Sequence, residues 1–83
     1  MEHLEIFLQE KKKLFNTAYR ILGTPFDAED VLQDSYIEFS KLALEEMKSP
    51  RNLLFTIINR RSIDRYRKLK KEREIYKGVW LPI

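Results

Sequence analysis

Glycine and proline occupy only five of the 83 positions: Gly23, Pro25, Pro50, Gly78 and Pro82. That punctuation constrains the fold more than any other feature. It leaves three long stretches, residues 1–22, 26–49 and 51–77, without a residue that interrupts a helix. A small β-sandwich or barrel needs a turn signal about every ten residues, and this chain has none inside those stretches. A chain this short buries about 60% of the surface that its unfolded form exposes, enough for one core and not two. The expected fold is an all-α, three-helix bundle in a single domain.

Side-chain spacing agrees. Leu4, Phe7, Leu8, Leu14, Phe15, Ala18, Tyr19 and Leu22 recur at intervals of three and four, the stripe of an amphipathic helix over residues 3–22. Lys11, Lys12 and Lys13 fall on its wet side. Gly23 suits the left-handed position after a helix, and Pro25 prevents continuation. A second helix is predicted to start at Asp27, whose carboxylate would cap the first turn. Asp30 would take the acidic position of a capping box, and Phe26 and Val31 would form a hydrophobic staple. Ala28, Val31, Leu32, Ser35, Phe39 and Leu42 make its buried face, with fraying expected between Leu44 and Met47. Ser49-Pro50 reads as a cap followed by proline at the first helical position. The third helix is predicted from there to about residue 73, apolar at first (Leu53, Leu54, Phe55, Ile57, Ile58) and basic afterwards. Residues 74–83 read as the start of an interdomain linker, non-helical from Tyr76, at which the chain is cut.

Charge is divided as sharply as hydropathy. Residues 1–48 carry six Lys/Arg and ten Asp/Glu, whereas residues 49–83 carry ten and three. An acidic half joined to a basic half suits two different partners. From Arg60 to Arg73 eight cations (Arg60, Arg61, Arg65, Arg67, Lys68, Lys70, Lys71, Arg73) are interrupted by two acids, Asp64 and Glu72. Cations on successive turns can follow the phosphates of a nucleic-acid strand, and Tyr66 among them could stack on a base. A solvated helix face is the plain alternative. Asp30, Gln33 and Asp34, at i, i+3 and i+4, share one face of the second helix. That face is either a docking surface for a basic partner or an ordinary outer face.

No catalytic set can be assembled. The chain has no cysteine, hence no disulfide, thiol nucleophile or Cys-ligated zinc. His3 stands alone, no glycine-rich phosphate loop is present, and Asp27, Glu29, Asp30 and Asp34 lack calcium-loop spacing. No enzymatic activity and no cofactor are expected. No run approaches the roughly 20 apolar residues of a membrane span, and Met1-Glu2-His3-Leu4-Glu5 lacks the basic region of a signal peptide. Cytoplasmic residence and no membrane partner are the corresponding expectations.

Several blocks, in order, carry a family resemblance. They are Tyr19-Arg20-Ile21-Leu22-Gly23, Asp27-Ala28-Glu29-Asp30-Val31-Leu32-Gln33-Asp34, and Pro50-Arg51-Asn52-Leu53-Leu54-Phe55-Thr56-Ile57, followed by Asp64 and Arg67. Together they resemble region 2 of extracytoplasmic-function sigma factors of bacteria, over about residues 4–72. The tail Tyr76-x-Gly78-x-Trp80-Leu81-Pro82 looks like the linker of a subgroup that carries further C-terminal domains.

The resemblance implies a transcription initiation factor domain with two surfaces. Asp30, Gln33 and Asp34 would bind the clamp helices of the RNA polymerase β′ subunit. The loop around residues 46–49, with Lys48 and Ser49, would join Asn59, Arg60, Arg61, Asp64, Arg65, Arg67 and Lys68 on the third helix. Together they would capture the non-template strand of the melted promoter −10 element. An anti-sigma factor or the protein's own C-terminal domain is a further implied partner. The chain departs from the family pattern at four places. Asn59-Arg60 stands where Arg-Asn is usual, Ser40 and Leu53 where Trp is often found, and Ile58 where a small residue is usual.

Overall fold

The computed structural model describes residues 3–80, with side chains described from 3 to 75. Three α-helices and one short 3₁₀ turn make up these residues. They are α1 (His3–Leu22), α2 (Pro25–Ser40), the 3₁₀ turn Leu44–Glu46 and α3 (Pro50–Trp80). Each helix packs against both of the others, the all-α bundle that the sequence predicts.

The first break behaves as expected. Gly23 has φ of 82°, and its N–H donates to Tyr19 O at 2.8 Å, closing α1. The start of α2 differs from expectation. Thr24, not Asp27, is the cap: its Oγ1 accepts from Asp27 N at 3.2 Å and donates to Asp27 Oδ2 at 2.6 Å. Pro25 therefore opens the helix at the first helical position, where its missing N–H costs nothing. The predicted staple fails with the register, and Phe26 is left 77% exposed. At its other end α2 stops at Ser40, whose Oγ donates to Ile37 O at 2.8 Å, earlier than the fraying predicted between Leu44 and Met47.

Ser49 and Pro50 open α3 as predicted, with Ser49 Oγ accepting from Asn52 N at 3.4 Å. The helix then runs for 31 residues, about 46 Å at 1.5 Å per residue. It passes residue 73, and Tyr76–Trp80 are helical rather than irregular. One internal glycine, Gly78, costs about 1 kcal/mol, which does not stop a helix that meets no proline before Pro82. The predicted irregular run from Leu81 to Ile83 lies outside the described residues.

The core holds Ile6, Phe7, Leu14, Ala18 and Leu22 from α1, Ala28, Val31, Leu32 and Phe39 from α2, and Leu54, Ile57 and Ile58 from α3. Leu4, Leu8, Tyr19 and Leu42, expected on the buried faces, are exposed instead: a bundle of only three helices leaves the stripe edges uncovered, and Leu42 lies past the end of α2. Each fully buried Leu, Ile or Phe contributes about 1.5–3 kcal/mol. Ile58, where the family has a small residue, is fully buried, and Leu53 packs against the core. Two polar side chains share the interior: Ser35 and Ser62 are fully buried, and neither hydroxyl has a partner among the described residues.

Candidate nucleic-acid interface

Antiparallel packing of α2 and α3 brings the acidic and basic segments of the chain face to face. The cap of α2 places Asp27 and Asp30 one turn apart at its N-terminal end, and Glu38 follows two turns later. Opposite them stand Arg65, Arg61 and Arg60. Arg65 donates from Nε and Nη2 to Asp27 Oδ1 at 3.0 and 2.7 Å, and from Nη1 to Asp30 Oδ2 at 2.7 Å. Arg60 Nη2 reaches both oxygens of Glu38 at 2.6 and 2.5 Å, and Arg61 Nε donates to Glu38 Oε1 at 2.8 Å. Three arginines of the basic run are thus tied to three carboxylates of α2.

The titration behaviour follows from these contacts. The hydrogen bond from the Thr24 hydroxyl, then that from Arg65, hold the Asp27 carboxyl below its usual range. Arg60 first, then Arg61, do the same for Glu38. Arg65 is raised, chiefly by its hydrogen bond to Asp27. All three shifts favour the charged forms.

The residues expected at the DNA face therefore divide into two groups. Arg60, Arg61 and Arg65 are internally paired. Asn59, Asp64, Arg67 and Lys68 are exposed and make no ion pair among the described residues. Lys48 is exposed in the α2–α3 connection, and Ser49 is the α3 cap. Arg51, the second residue of α3, ties that end to α1 through Gln9 and through Glu10 at 3.5 Å. His3 donates to or accepts from no catalytic partner. Its Nε2–H bonds Leu42 O at 2.6 Å, and its ring lies edge-on to Phe39 with centroids 5.2 Å apart.

On the outer face of α2 the expected trio is also divided. Gln33 and Asp34 are exposed and make no hydrogen bond or ion pair among the described residues, although the Asp34 charge acts on Arg65, whereas Asp30 is held by Arg65 directly. Phe26, Glu29, Asp30 and Gln33 line a shallow concavity there, and Leu4, Phe7, Glu29, Gln33, Tyr36 and Ile37 line a second one, together with the cation Lys11 of α1. The face combines apolar contact area with carboxylates, the chemistry of a protein-docking surface. Phe26 was missed there because it was assigned to a staple. The Thr24-Pro25-x-Asp27 pattern, with proline at the first helical position, would have corrected the register. No local pattern marks Glu38, whose partners lie 22 and 23 positions away.

Among the described residues there is no cluster of His, Asp and Glu fit to hold a metal ion, and no helix long and apolar enough to cross a membrane.

Comparison with known proteins agrees with this arrangement. The family model described as Sigma-70 region 2 matches residues 6–72. The chain is 35% identical over 72 residues to the ECF RNA polymerase sigma factor SigJ of Mycobacterium tuberculosis, a match covering 87% of this chain and 23% of that protein. The chain thus spans about a quarter of the length of that curated relative. No solved structure matches. With a family match over most of the bundle, and with the α2 and α3 blocks in the family's order, this chain belongs to the sigma-70 region 2 family.

Proposed function

We propose that this domain serves transcription initiation, without enzymatic activity of its own, as the region 2 part of a cytoplasmic extracytoplasmic-function sigma factor. The outer face of α2 binds the β′ clamp helices of core RNA polymerase. The α2–α3 connection and α3 capture the non-template strand of the melted −10 element. Residues 74–83 begin the linker to the rest of the protein. An anti-sigma factor or the protein's own C-terminal domain would act by covering one of these faces.

The observation that carries this reading is which polar groups stay exposed once Arg60, Arg61 and Arg65 are clasped to α2. Gln33 and Asp34 are exposed on one side, while Asn59, Arg67 and Lys68 are exposed along α3. The acidic face suits a basic protein partner, and the cationic one a phosphate chain. Reading a −10 element requires unpaired bases, because unstacking a duplex costs a few kcal/mol that so small a surface hardly supplies alone. Polymerase opens the duplex, and the domain holds the exposed strand.

The test is capture of core RNA polymerase by this chain and by Asp34→Lys. The substitution sets like charge against a basic partner at a position outside the core. Loss of capture, with the helical circular-dichroism spectrum unchanged, supports the docking face. Unchanged capture by a folded Asp34→Lys chain refutes it.

A further inference from the structure

Glu38 stands at a poor place for a carboxylate. It lies in the last turn of α2, which holds no Lys or Arg, and the negative end of a helix dipole disfavours an acid there. Two arginines of α3 offset it. Arg60 Nη2 reaches both of its oxygens, at 2.6 and 2.5 Å, and Arg61 Nε donates to Oε1 at 2.8 Å. Among the described residues these two are the only side-chain partners of Glu38. The clasp of Arg65 is different in kind. Asp27 also binds the Thr24 hydroxyl as part of the α2 cap, and its side chain is only 16% exposed, so Arg65 there belongs to the fold. Around Glu38 the side chains of Arg60 and Arg61 are 53% and 36% exposed. Ion pairs so open to water contribute little to stability, which leaves this one free to exchange with another anion.

We propose that Glu38 is an internal competitor for DNA phosphate: it occupies Arg60 and Arg61 and so suppresses the sequence-independent affinity of the domain for a single strand. This inference rests on the proposed capture of a melted strand. A guanidinium presents its N–H donors to carboxylate and phosphate oxygens alike. A phosphate therefore reaches these donors only by displacing Glu38, and the displaced carboxylate is left unpaired beside the strand, like charge against like. Phosphate contacts carry no sequence information. Masking two of the cations that would make them lowers binding to every strand, which matters because nucleic acid at large offers a vast excess of competing sites. The α2–α3 connection starts at residue 41, just past the turn that carries Glu38. A strand that also makes base contacts at that connection offsets the displacement, and a strand held by its phosphates alone does not.

The experiment measures fluorescence anisotropy with an oligo(dT) strand, which probes phosphate contact without any −10 sequence. Wild type is compared with Glu38→Gln, with Arg60→Ala/Arg61→Ala and with all three changes combined, each checked for an unchanged helical circular-dichroism spectrum. Glutamine keeps the size of the side chain and removes its charge. Glu38→Gln is expected to bind roughly tenfold tighter at about 0.15 M salt, with a salt slope steeper by about 1.4, two phosphates at about 0.7 each. Adding Glu38→Gln to the chain without the two arginines should leave the slope unchanged. Equal steepening in both backgrounds would assign the effect to net charge and overturn the inference, and so would unaltered affinity of folded Glu38→Gln in a series where wild type binds. If none of these chains binds the strand even at low salt, the strand-capture reading itself falls, and the inference with it.

Discussion

Arg65 Nη1 donates to Asp30 Oδ2 at 2.7 Å, joining two residues that family resemblance assigns to opposite faces, polymerase and DNA. Asp30 is therefore not a free docking group, and Arg65 is not a free phosphate ligand. Its guanidinium also holds Asp27, so one arginine ties the first turn of α2 to the middle of α3.

Arg65→Ala is expected to destabilise the bundle by about 1.5–3 kcal/mol, the range for hydrogen bonds to charged groups. Lys68→Ala, on the same helix and without an internal partner, should stay within about 0.5 kcal/mol of wild type. Urea titration followed by circular dichroism compares the two. Equal stabilities would mean that the Arg65 contacts contribute nothing net.

Acid should weaken the domain through the same clasps. Asp27 and Glu38 are both held below their usual pKa, so the unfolded chain binds protons that the folded one does not. Their contribution is fully present above the unfolded carboxylate values near pH 4, and it is lost as pH falls through the lower folded values. Melting temperature should change little from these groups between about pH 7 and 5 and drop below about pH 4. Asp27→Asn should flatten the drop, and a slope unchanged by that substitution would contradict the assignment.

Replacing Ser62 by alanine should stabilise the protein. Its hydroxyl is fully buried with no partner among the described residues, and an unsatisfied buried group costs about 1–3 kcal/mol. Ser35 lies between Asp30 and Glu38 on α2, and Ser62 between Arg61 and Arg65 on α3, so the antiparallel register sets both small side chains at one level of the seam. Alanine fits that close approach and is the better helix former. A gain of about 1 kcal/mol in chemical denaturation is expected. A loss would show that the hydroxyl is hydrogen-bonded in solution.

Salt dependence distinguishes free cations from clasped ones. Lys68→Ala should lower the salt slope of single-strand binding by about 0.7, one phosphate contact. Arg61→Ala should lower it less, because Arg61 already shares Glu38 with Arg60. Equal reductions would mean that DNA displaces Glu38 from Arg61.

The number, order and approximate limits of the helices followed from local chemistry. Gly23 needs its left-handed backbone, Pro25 and Pro50 can only open a helix, and the intervals of three and four among the apolar residues need a bundle to bury them. Such effects act within a few residues, so they are legible in a linear chain. The family's α2 and α3 blocks were legible for the same reason. The cap of α2 was readable too: Thr24 before Pro25 is the same cap-then-proline pattern as Ser49-Pro50, and the expectation of Asp27 passed over it.

What tertiary structure alone decided is which charges remain available. Arg60, Arg61, Arg65, Arg67 and Lys68 look alike in the chain. Three of them meet carboxylates 22 to 38 positions away, and the others meet water. That distinction depends on the antiparallel register of α2 against α3, which is set by Phe39, Leu54 and Ile58 in the core and by Ser35 and Ser62 at the seam. Electrostatic pairing needs separations of a few ångströms, and no pattern along a helix encodes a distance across to its neighbour.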